Sequence, residues 1–397
     1  MTRTPYERDV VISGIGQSQV GRRLGRSDID LTVEASLRAI ADAGLDRSDI
    51  DGMSTYPGGF AVPTMGYGGP SPYDVQEVMR FDLNWYQGSA ELPGQLGAIA
   101  AAALAVSAGL ARHVLCYRTV TESSAQGAGS RSDLVNSLTV ASGMGRWSMV
   151  GGGLSPANWI ALYATRHFHE YGTTREQLGQ IAVTQRRHAA LNPLAVLRSP
   201  MSLDDYLNAR MISSPLCLFD CDLPIDASTA IVVSHVDYAK DMPGRPVYVD
   251  AFGSASRGRL SWDQYADLTS MAAQGAADHL WERTALKPAD VDVAELYDGF
   301  SILTAIWLEA LGFCAKGESG PFLEGGHRIS LGGVLPLNTF GGQLSAGRLH
   351  GFGHFHEAVV QLRGTAGARQ VDNAKVAMVA NGGGPVAGCA LLTSQPS

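Results

Sequence analysis

A short sequence pattern occurs twice in this chain, and the two copies lie 241 residues apart. The segment AGLDRSDIDGMSTY (43–56) aligns with TALKPADVDVAELY (284–297), and each copy follows a helix-like segment and leads into a strand. The identical pairs are Leu45/Leu286, Asp49/Asp290, Asp51/Asp292 and Tyr56/Tyr297. A second pair of similar segments, 88–117 and 341–380, follows in the same order. A repeat of this kind predicts a duplicated βαβ core.

Strand-like and helix-like segments alternate along the chain. The apolar run DVVISGIG (9–16) is typical of a buried strand, and LTVEASLRAIADAG (31–44) has the apolar spacing of a helix that ends at a glycine. This alternation predicts an α/β fold with helices on the faces of a largely parallel sheet. We expect two halves, 1–245 and 246–397, with an inserted region at about 120–215 in the first half. Insertions of this length usually cover or complete a binding site.

The composition limits the classes of function. The chain has 397 residues, 45% of them hydrophobic, and a net charge of -8, so it lacks the basic surface that nucleic acids require. Its longest run of small apolar residues, 98–106, is too short to span a membrane, and the N-terminus does not resemble a signal peptide. The number of cysteines is odd, and they form no pair of CxxC motifs. We therefore expect a reduced, cytoplasmic protein that binds neither nucleic acid nor membranes.

A glycine-rich loop, NTFGGQLSAGRLHGFGH (338–354), contains five glycines together with Arg348 and His350. Such a cluster usually provides left-handed backbone conformations or close approach to a ligand. The sequence argues against a nucleotide as that ligand: GIGQSQVG lacks the third glycine of a dinucleotide fingerprint, and no P-loop pattern occurs.

The repeat, this loop, and the segments AELYDGFS (294–301) and VANGGGPVAG (379–388) together resemble the thiolase superfamily over essentially the whole chain. The resemblance is greatest to the lipid-transfer-protein branch, which includes the sterol-carrier-type thiolases. The segment LYDGFSILTAIWLEALGFCAKGE (296–318) is similar to aldolases that cleave steroid side-chain CoA thioesters. The resemblance implies a duplicated, five-layered αβαβα fold and a homodimer. It also implies coenzyme A as part of the substrate, no bound cofactor, and a small OB-fold and zinc-ribbon acyl-CoA-binding partner.

Most of the family's functional positions differ in this chain. The region that carries the nucleophilic cysteine of thiolases is GSAELPGQ (88–95), without a cysteine, and the second cysteine position falls on Ala380. The thiolase histidine falls on Arg348, where the steroid aldolases have a tyrosine. The histidine of the sterol-carrier type falls on Tyr297, whereas the loop asparagine survives as Asn338. Thiolysis proceeds through an acyl-cysteine, so the chain lacks the nucleophile for that reaction.

The resemblance and these differences together predict retro-aldol cleavage of a bulky β-hydroxyacyl-CoA, with a steroid side chain as one candidate for the acyl group. The expected catalytic residues are Tyr297, Arg348, His350 and Asn338. A phenol ionises near pH 10, so a base role for Tyr297 requires a nearby cation such as Arg348. The glycines expected to bind the thioester are Gly341, Gly342, Gly383 and Gly384.

Two alternatives remain open at this point. One is a thiolase-related acyl transferase or condensing enzyme, and the other is a non-catalytic acyl-CoA or lipid-binding protein. The polar residues at the replaced positions favour an enzyme. The histidines of HGFGHFH (350–356) have no carboxylate or cysteine at a ligand-like spacing, so no metal site is predicted.

Overall fold

The computed structural model describes residues 5–57, 66–88, 96–126, 150–153, 155–256, 261–263 and 265–396. The strands among these residues are β1 Val10–Gln17, β2 Gly52–Thr55, β3 Trp85–Gly88, β4 His113–Thr121, β5 Met211–Ser213, β6 Leu216–Cys217, β7 Asp226–His235, β8 Val247–Ser256, β9 Val293–Leu296, β10 Val376–Gly382 and β11 Val386–Thr393. The α-helices are α1 Asp28–Asp42, α2 Pro72–Met79, α3 Leu96–Ser107, α4 Glu122–Ala125, α5 Pro156–Tyr171, α6 Arg175–Ala190, α7 Leu203–Leu207, α8 Met271–Trp281, α9 Ser301–Ala310, α10 Ser319–Leu323 and α11 Phe352–Arg363.

The strand order shows the predicted duplication. Within the described residues, one mixed sheet has the order β3-β2-β4-β7-β1-β8-β11-β10-β9. The order β1-β7-β4-β2 in the first half is mirrored by β8-β11-β10-β9 in the second, and the repeated segments end in β2 and β9. A parallel bridge between Ala294 and Leu337 lies where β3 lies in the first half. Among the described residues, backbone pairing between the two half-sheets is confined to Val11 and Ile12 of β1, which pair with β8. The division at residues 245 and 246 stays a prediction.

Equivalent strands also pair in equivalent register. β2 and β4 are parallel, with Thr55 opposite Tyr117, and β9 and β10 are parallel, with Leu296 opposite Ala380. Within each half, the carboxyl ends of the two parallel strands therefore lie at the same edge, where ligands usually bind in α/β sheets.

Alternating side chains divide the structure into layers. In β4, Val114 and Cys116 face one core, whereas Leu115 and Tyr117 face another. The first of these cores lies between the half-sheets and contains apolar side chains of both α3 and α11. The outer cores contain α1 on the first half-sheet and α8 on the second. The result is the expected five-layered αβαβα arrangement.

Close packing of α1 and α8 on the half-sheets depends on glycine in both halves. A Cβ atom on Gly14 of β1 would overlap the carbonyl oxygen of Ala39, and one on Gly253 of β8 would overlap that of Ala276. Each strand thus accepts a helix at backbone contact distance, which a larger residue would prevent.

The inserted region packs against the second half. Helices α5 and α6 share a hydrophobic core with α9. His167 of α5 is also hydrogen bonded to Glu309 of α9, with Nε2 2.9 Å from Oε1. Helix α6 contacts a π-helical turn, Gly342–Ala346, in the glycine-rich loop. The insertion therefore supports the glycine-rich loop. No helix in the described part of the chain is long and apolar enough to cross a membrane.

A buried polar cluster fixes the start of the glycine-rich loop to β9 and α11. The Thr339 Oγ1 atom lies 2.8 Å from carboxyl oxygens of both Glu295 and Glu357. Arg369 pairs with Glu357. Burial, and then the neighbouring Glu357 charge, raise the pKa of Glu295 well above its ordinary value. Because one hydroxyl hydrogen cannot serve both carboxyl groups, a protonated Glu295 completes this network.

This cluster predicts a pH dependence of stability. The folded-state pKa of Glu295 is raised above its unfolded value of about 4.3, so wild-type stability is full below that value and falls as pH rises towards the folded-state pKa. The slope for one proton is at most ~1.4 kcal/mol per pH unit. Glu295→Gln, which is neutral and similar in shape, should remove this slope in urea unfolding measured from pH 5 to 9. The exposed Glu77→Gln serves as control, and parallel wild-type and Glu295→Gln curves would contradict the assignment.

Candidate active site

The end of β9 is fixed by an asparagine clamp. The Oδ1 atom of Asn338 accepts a hydrogen bond from the Leu296 N–H at 2.7 Å, and its Nδ2 donates to the Leu296 carbonyl at 2.8 Å. Asn338 itself adopts a left-handed conformation with φ of 48°. Both ends of its amide are therefore engaged by the residue just before Tyr297. The clamp fixes the backbone from which the Tyr297 side chain projects.

Tyr297 lies in a buried, charged environment. Burial raises the pKa of Tyr297 well above its ordinary value, and the Asp222 carboxylate raises it further, whereas the Arg348 guanidinium and a hydrogen bond with Gln343 act in the opposite direction. The phenol is therefore protonated at neutral pH. The predicted cation is near the tyrosine, but its effect is smaller than that of burial. The site thus presents Tyr297 as a proton donor.

Arg348 is the centre of a buried ion-pair cluster. Its Nε donates to Glu122 Oε2 at 2.7 Å, and its Nη1 donates to Asp222 Oδ1 at 2.9 Å. Glu122 begins α4 directly after β4, and Asp222 lies just before β7. The Arg348 backbone N–H also donates to the Leu223 carbonyl. Two buried carboxylates therefore balance the charge of this guanidinium.

His350 is paired with a second buried arginine. The Nη2 of Arg118, in β4, lies 2.8 Å from His350 Nδ1. Because a guanidinium only donates, Nδ1 must be the acceptor, and the ring hydrogen is assigned to Nε2. His350 is therefore a neutral imidazole with an N–H donor on its far side. Tyr67 lies edge-on to this ring, with a centroid distance of 4.6 Å.

A third histidine, His354, is held by Asp298. His354 Nε2 lies 2.9 Å from Asp298 Oδ1, and both residues are fully buried. The other carboxylate oxygen of Asp298 accepts the Leu344 N–H. With its hydrogen on Nε2, His354 has a lone pair on Nδ1, and this atom has no hydrogen-bond partner among the described residues. The Tyr297 and His354 ring centroids are 6.2 Å apart.

The four glycines predicted to bind the thioester pack closely against protein groups. A Cβ on Gly341 would meet Ala189 of α6, and one on Gly342 would overlap the Asp298 carboxylate. Gly383 and Gly384 pack in the same way against tryptophan rings. Three of the four also have positive φ, of 107° at Gly341, 60° at Gly342 and 107° at Gly383. These contacts account for the glycines, and their binding of a thioester stays a prediction.

Buried amides without partners surround this group of residues. Gln185 and Asn381 have side-chain nitrogen and oxygen atoms that form no hydrogen bond within the described ranges. Gln185 comes from α6 next to Gly342, and Asn381 lies against Gly351. Buried polar atoms are rarely left unpaired, so such a cluster indicates a place where polar ligand atoms bind. The predicted nucleophile segment lies outside the described residues apart from Gly88.

Comparison with known proteins identifies the family. A family model described as thiolase C-terminal domain-like matches residues 254–392. The steroid side-chain-cleaving aldolase of Thermomonospora curvata is 36% identical, over 96% of this chain and 97% of that protein. The chain belongs to the thiolase superfamily.

Within the superfamily, the chain lies in the branch that includes these aldolases. The 17-hydroxy-3-oxo-4-pregnene-20-carboxyl-CoA lyase of Mycobacterium tuberculosis is 37% identical, over 89% of this chain and 92% of that protein. The solved structure of the Ltp2-ChsH2(DUF35) aldolase matches with a TM-score of 0.85 and 33% identity, covering 98% of each chain. The predicted thiolase-like fold and branch are therefore confirmed.

Four of the five cysteines of this thiolase homologue are unsuited to nucleophilic catalysis. Burial raises the pKa of Cys217 to about 11 and that of Cys314 to about 12. Burial also raises the pKa of Cys116 and Cys389, which lie in the strands β4 and β11. A thiol must ionise to act as a nucleophile, and these four remain protonated at neutral pH. No group of three metal-ligating side chains occurs in the described part of the chain.

Sequence reasoning missed several residues of this thiolase-like site. Arg118 stands out as the one charged residue of the apolar segment HVLCYRTV (113–120), so its signal was present in the sequence. Asp298 and His354 lie within the segments that carried the resemblance, but nothing in their spacing indicates that they meet. Glu122 and Asp222 give no local signal.

The ion-pair cluster predicts unequal effects of two substitutions at Arg348. Arg348→Met should lower the free energy of unfolding by about 3–5 kcal/mol, because it leaves two buried carboxylates unpaired. Arg348→Lys should have a smaller effect, since an ammonium still pairs with one carboxylate but not with both in this planar geometry. Urea unfolding measures both variants, with the exposed Arg187→Met as control. An Arg348→Met protein as stable as wild type would show that the cluster is not stabilising.

Proposed function

We propose that this chain is a carbon–carbon lyase that cleaves a β-hydroxyacyl-CoA thioester by a retro-aldol reaction. The observation that carries the proposal is the pairing of a buried, protonated Tyr297 with a buried histidine, His354, whose lone pair has no partner among the described residues. Tyr297 can therefore act as an acid and His354 as a base in the same site. The four cysteines with raised pKa values stay protonated and cannot serve as the nucleophile. The relatives named as steroid side-chain-cleaving aldolase and pregnene-carboxyl-CoA lyase support this reaction and a bulky, steroid-derived acyl group.

The first step removes the proton of the β-hydroxyl group. His354 Nδ1 accepts it, and the Asp298 carboxylate on the opposite ring nitrogen stabilises the imidazolium that forms. The oxygen electrons then form the carbonyl group of the released ketone, while the carbon–carbon bond breaks. The electron pair of the broken carbon–carbon bond stays with the thioester fragment, which becomes an enolate.

The second step returns a proton to carbon. The Nε2–H of His350 donates to the enolate oxygen, and the Tyr297 hydroxyl protonates the α-carbon to give the shorter acyl-CoA. The phenolate that remains lies within the electrostatic influence of Arg348, which favours it. The proton held by His354 then returns to Tyr297 across the 6.2 Å between the ring centroids, directly or through one water, and the cycle closes.

The remaining predicted residues have positioning roles in this proposal. Asn338 holds the end of β9 and therefore the Tyr297 hydroxyl. The glycine pairs at 341–342 and 383–384 allow the two loops to approach the CoA thioester, which enters as part of the substrate. Acyl transfer through a cysteine is the less favoured alternative, because the nucleophile position holds no cysteine.

Tyr297→Phe tests the proposed reaction. Loss of the hydroxyl should lower kcat by about 10²–10⁴-fold with a small change in KM, since a proton transfer is lost while the ring is kept. The measurement is release of the shorter acyl-CoA from a panel of β-hydroxyacyl-CoA thioesters, with Tyr248→Phe as control. Near-native kcat in Tyr297→Phe would make the residue structural. Binding without any cleavage by wild type would favour a non-catalytic acyl-CoA-binding protein.

We propose a homodimer formed through β3. This strand ends the sheet, so its outer edge has no strand partner among the described residues. Tyr73, Val78 and Tyr86 are exposed near this edge, at 57%, 53% and 50%. Unpaired edges with exposed apolar side chains are typical of protein interfaces.

We also propose a small OB-fold and zinc-ribbon subunit beside each active site. The similar Ltp2-ChsH2(DUF35) aldolase includes a DUF35 component, which supports such a partner. The chain's net charge of -8 also disfavours binding of an anionic CoA tail without help from positive groups.

The assembly has two measurable consequences. Multi-angle light scattering should give a dimer for the isolated chain and a monomer for the Val78→Lys/Tyr86→Lys variant, because charges at an edge oppose pairing. Addition of the small subunit should form a heterotetramer and raise kcat/KM. A monomeric wild type would contradict the dimer, and full activity of the isolated homodimer, unchanged by the small protein, would contradict the partner.

A further inference from the structure

Arg118 is a buried cation in an unusual environment. It is fully buried in β4, and no carboxylate in the described part of the chain forms an ion pair with it. Its guanidinium donates to the Thr119 carbonyl at 3.0 Å and to His350 Nδ1 at 2.8 Å. Its Cζ atom lies 4.8 Å from the Tyr67 ring centroid and 5.9 Å from that of Tyr56. Aromatic faces therefore replace a counter-ion.

Such an arrangement costs free energy, and this cost needs a functional explanation. Burial lowers the pKa of Arg118, since it penalises the charge. Arginine nevertheless stays protonated in proteins because its ordinary pKa is so high. A buried charge is usually paired with an opposite charge in the protein. Here the nearest partner in hydrogen-bonding contact is a neutral ring, His350.

We propose that Arg118 is a positioning residue of the retro-aldol reaction, which holds His350 as a neutral Nε2–H donor for the enolate oxygen. This inference rests on the function proposed above. The guanidinium prevents protonation at Nδ1, because an imidazolium would place two donors and two positive charges 2.8 Å apart. It also polarises the ring, so the Nε2–H becomes a stronger donor as negative charge develops on the thioester oxygen.

The enolate supplies the negative charge that Arg118 lacks in the resting site. A positive group behind the hydrogen-bond donor stabilises the transition state more than the neutral substrate, and this difference is what raises kcat. Arg348 does not supply this stabilisation of the enolate, because Glu122 and Asp222 already balance its charge. The Tyr67 ring also packs edge-on against His350, and the charged or titratable groups that act on Arg118 itself include Tyr56, Glu122 and Arg348.

The direct test is the protonation state of His350 in the wild-type chain. Histidines labelled with ¹⁵N and ¹³C are followed by NMR from pH 5 to 8, and the His350 signals are assigned by their loss in His350→Gln. We expect His350 to remain the neutral Nε2–H tautomer throughout this range. A wild-type His350 that becomes an imidazolium by pH 6 would overturn the proposal. This readout requires no catalysis, so it is independent of the proposed reaction.

The kinetic test uses Arg118→Met and Arg118→Lys in the assembled enzyme. Arg118→Met should lower kcat at least 10-fold with little change in KM. It should also create an acidic limb in the pH profile near the ordinary histidine pKa of about 6.5, which disappears in Arg118→Met/His350→Gln. Arg118→Lys should retain a higher kcat than Arg118→Met, and its pH profile should lack the acidic limb.

Native kcat and an unchanged pH profile in Arg118→Met would overturn the proposal. If Arg118→Met does not fold, the proposal is tested by the kcat and pH profile of Arg118→Lys and by the His350 protonation state in the wild-type NMR data. If wild type cleaves no β-hydroxyacyl-CoA, the proposed reaction fails, while the NMR result still supports or overturns the hydrogen-bonding assignment for Arg118.

Discussion

The ion pairs of Arg348 hold the site together, because they join parts of the chain that are far apart in sequence. Glu122 follows a strand of the first half, Asp222 lies after the inserted region, and Arg348 belongs to the glycine-rich loop of the second half. Each of these side chains is buried, so withdrawing one of them would leave an unpaired charge in the interior, which is strongly destabilising. The loop that carries His350 and His354 is therefore fixed relative to both half-sheets.

Two histidines on this loop differ in their hydrogen bonding because their neighbours differ. The Arg118 guanidinium makes His350 a donor, and the Asp298 carboxylate leaves His354 with an available lone pair. No difference between the imidazole rings themselves is required. The same rule explains Tyr297, where burial keeps the phenol protonated despite the nearby arginine. In the proposed reaction, acid–base groups whose protonation states are set by electrostatics take the place of the catalytic cysteine.

The sequence predicts the fold well because the evidence for it is local. Apolar periodicity and the repeat of 43–56 at 284–297 indicate the strands β2 and β9, and Tyr297 is placed correctly at a strand end. The site is less predictable, since its pairs span long separations: Arg118 and His350 are 232 residues apart. Burial, which raises rather than lowers the pKa of Tyr297, is likewise a property of the assembled structure. The glycines in the sequence indicate that the backbone is closely approached by another group. They do not indicate whether that group belongs to a ligand or to the protein itself.

The matching register of the two half-sheets gives the site an internal pseudo-symmetry. Tyr56 and Tyr297 each follow the paired residues Thr55 and Leu296, and in the neighbouring strands Arg118 and Asn381 follow Tyr117 and Ala380. Each half therefore brings a tyrosine and a polar strand residue to equivalent places. Tyr297 lies beside the His354 ring, whereas Tyr56 lines the guanidinium pocket of Arg118. The two halves thus hold two copies of one constellation, and in the proposed reaction one copy carries the reactive hydroxyl while the other gives electrostatic support.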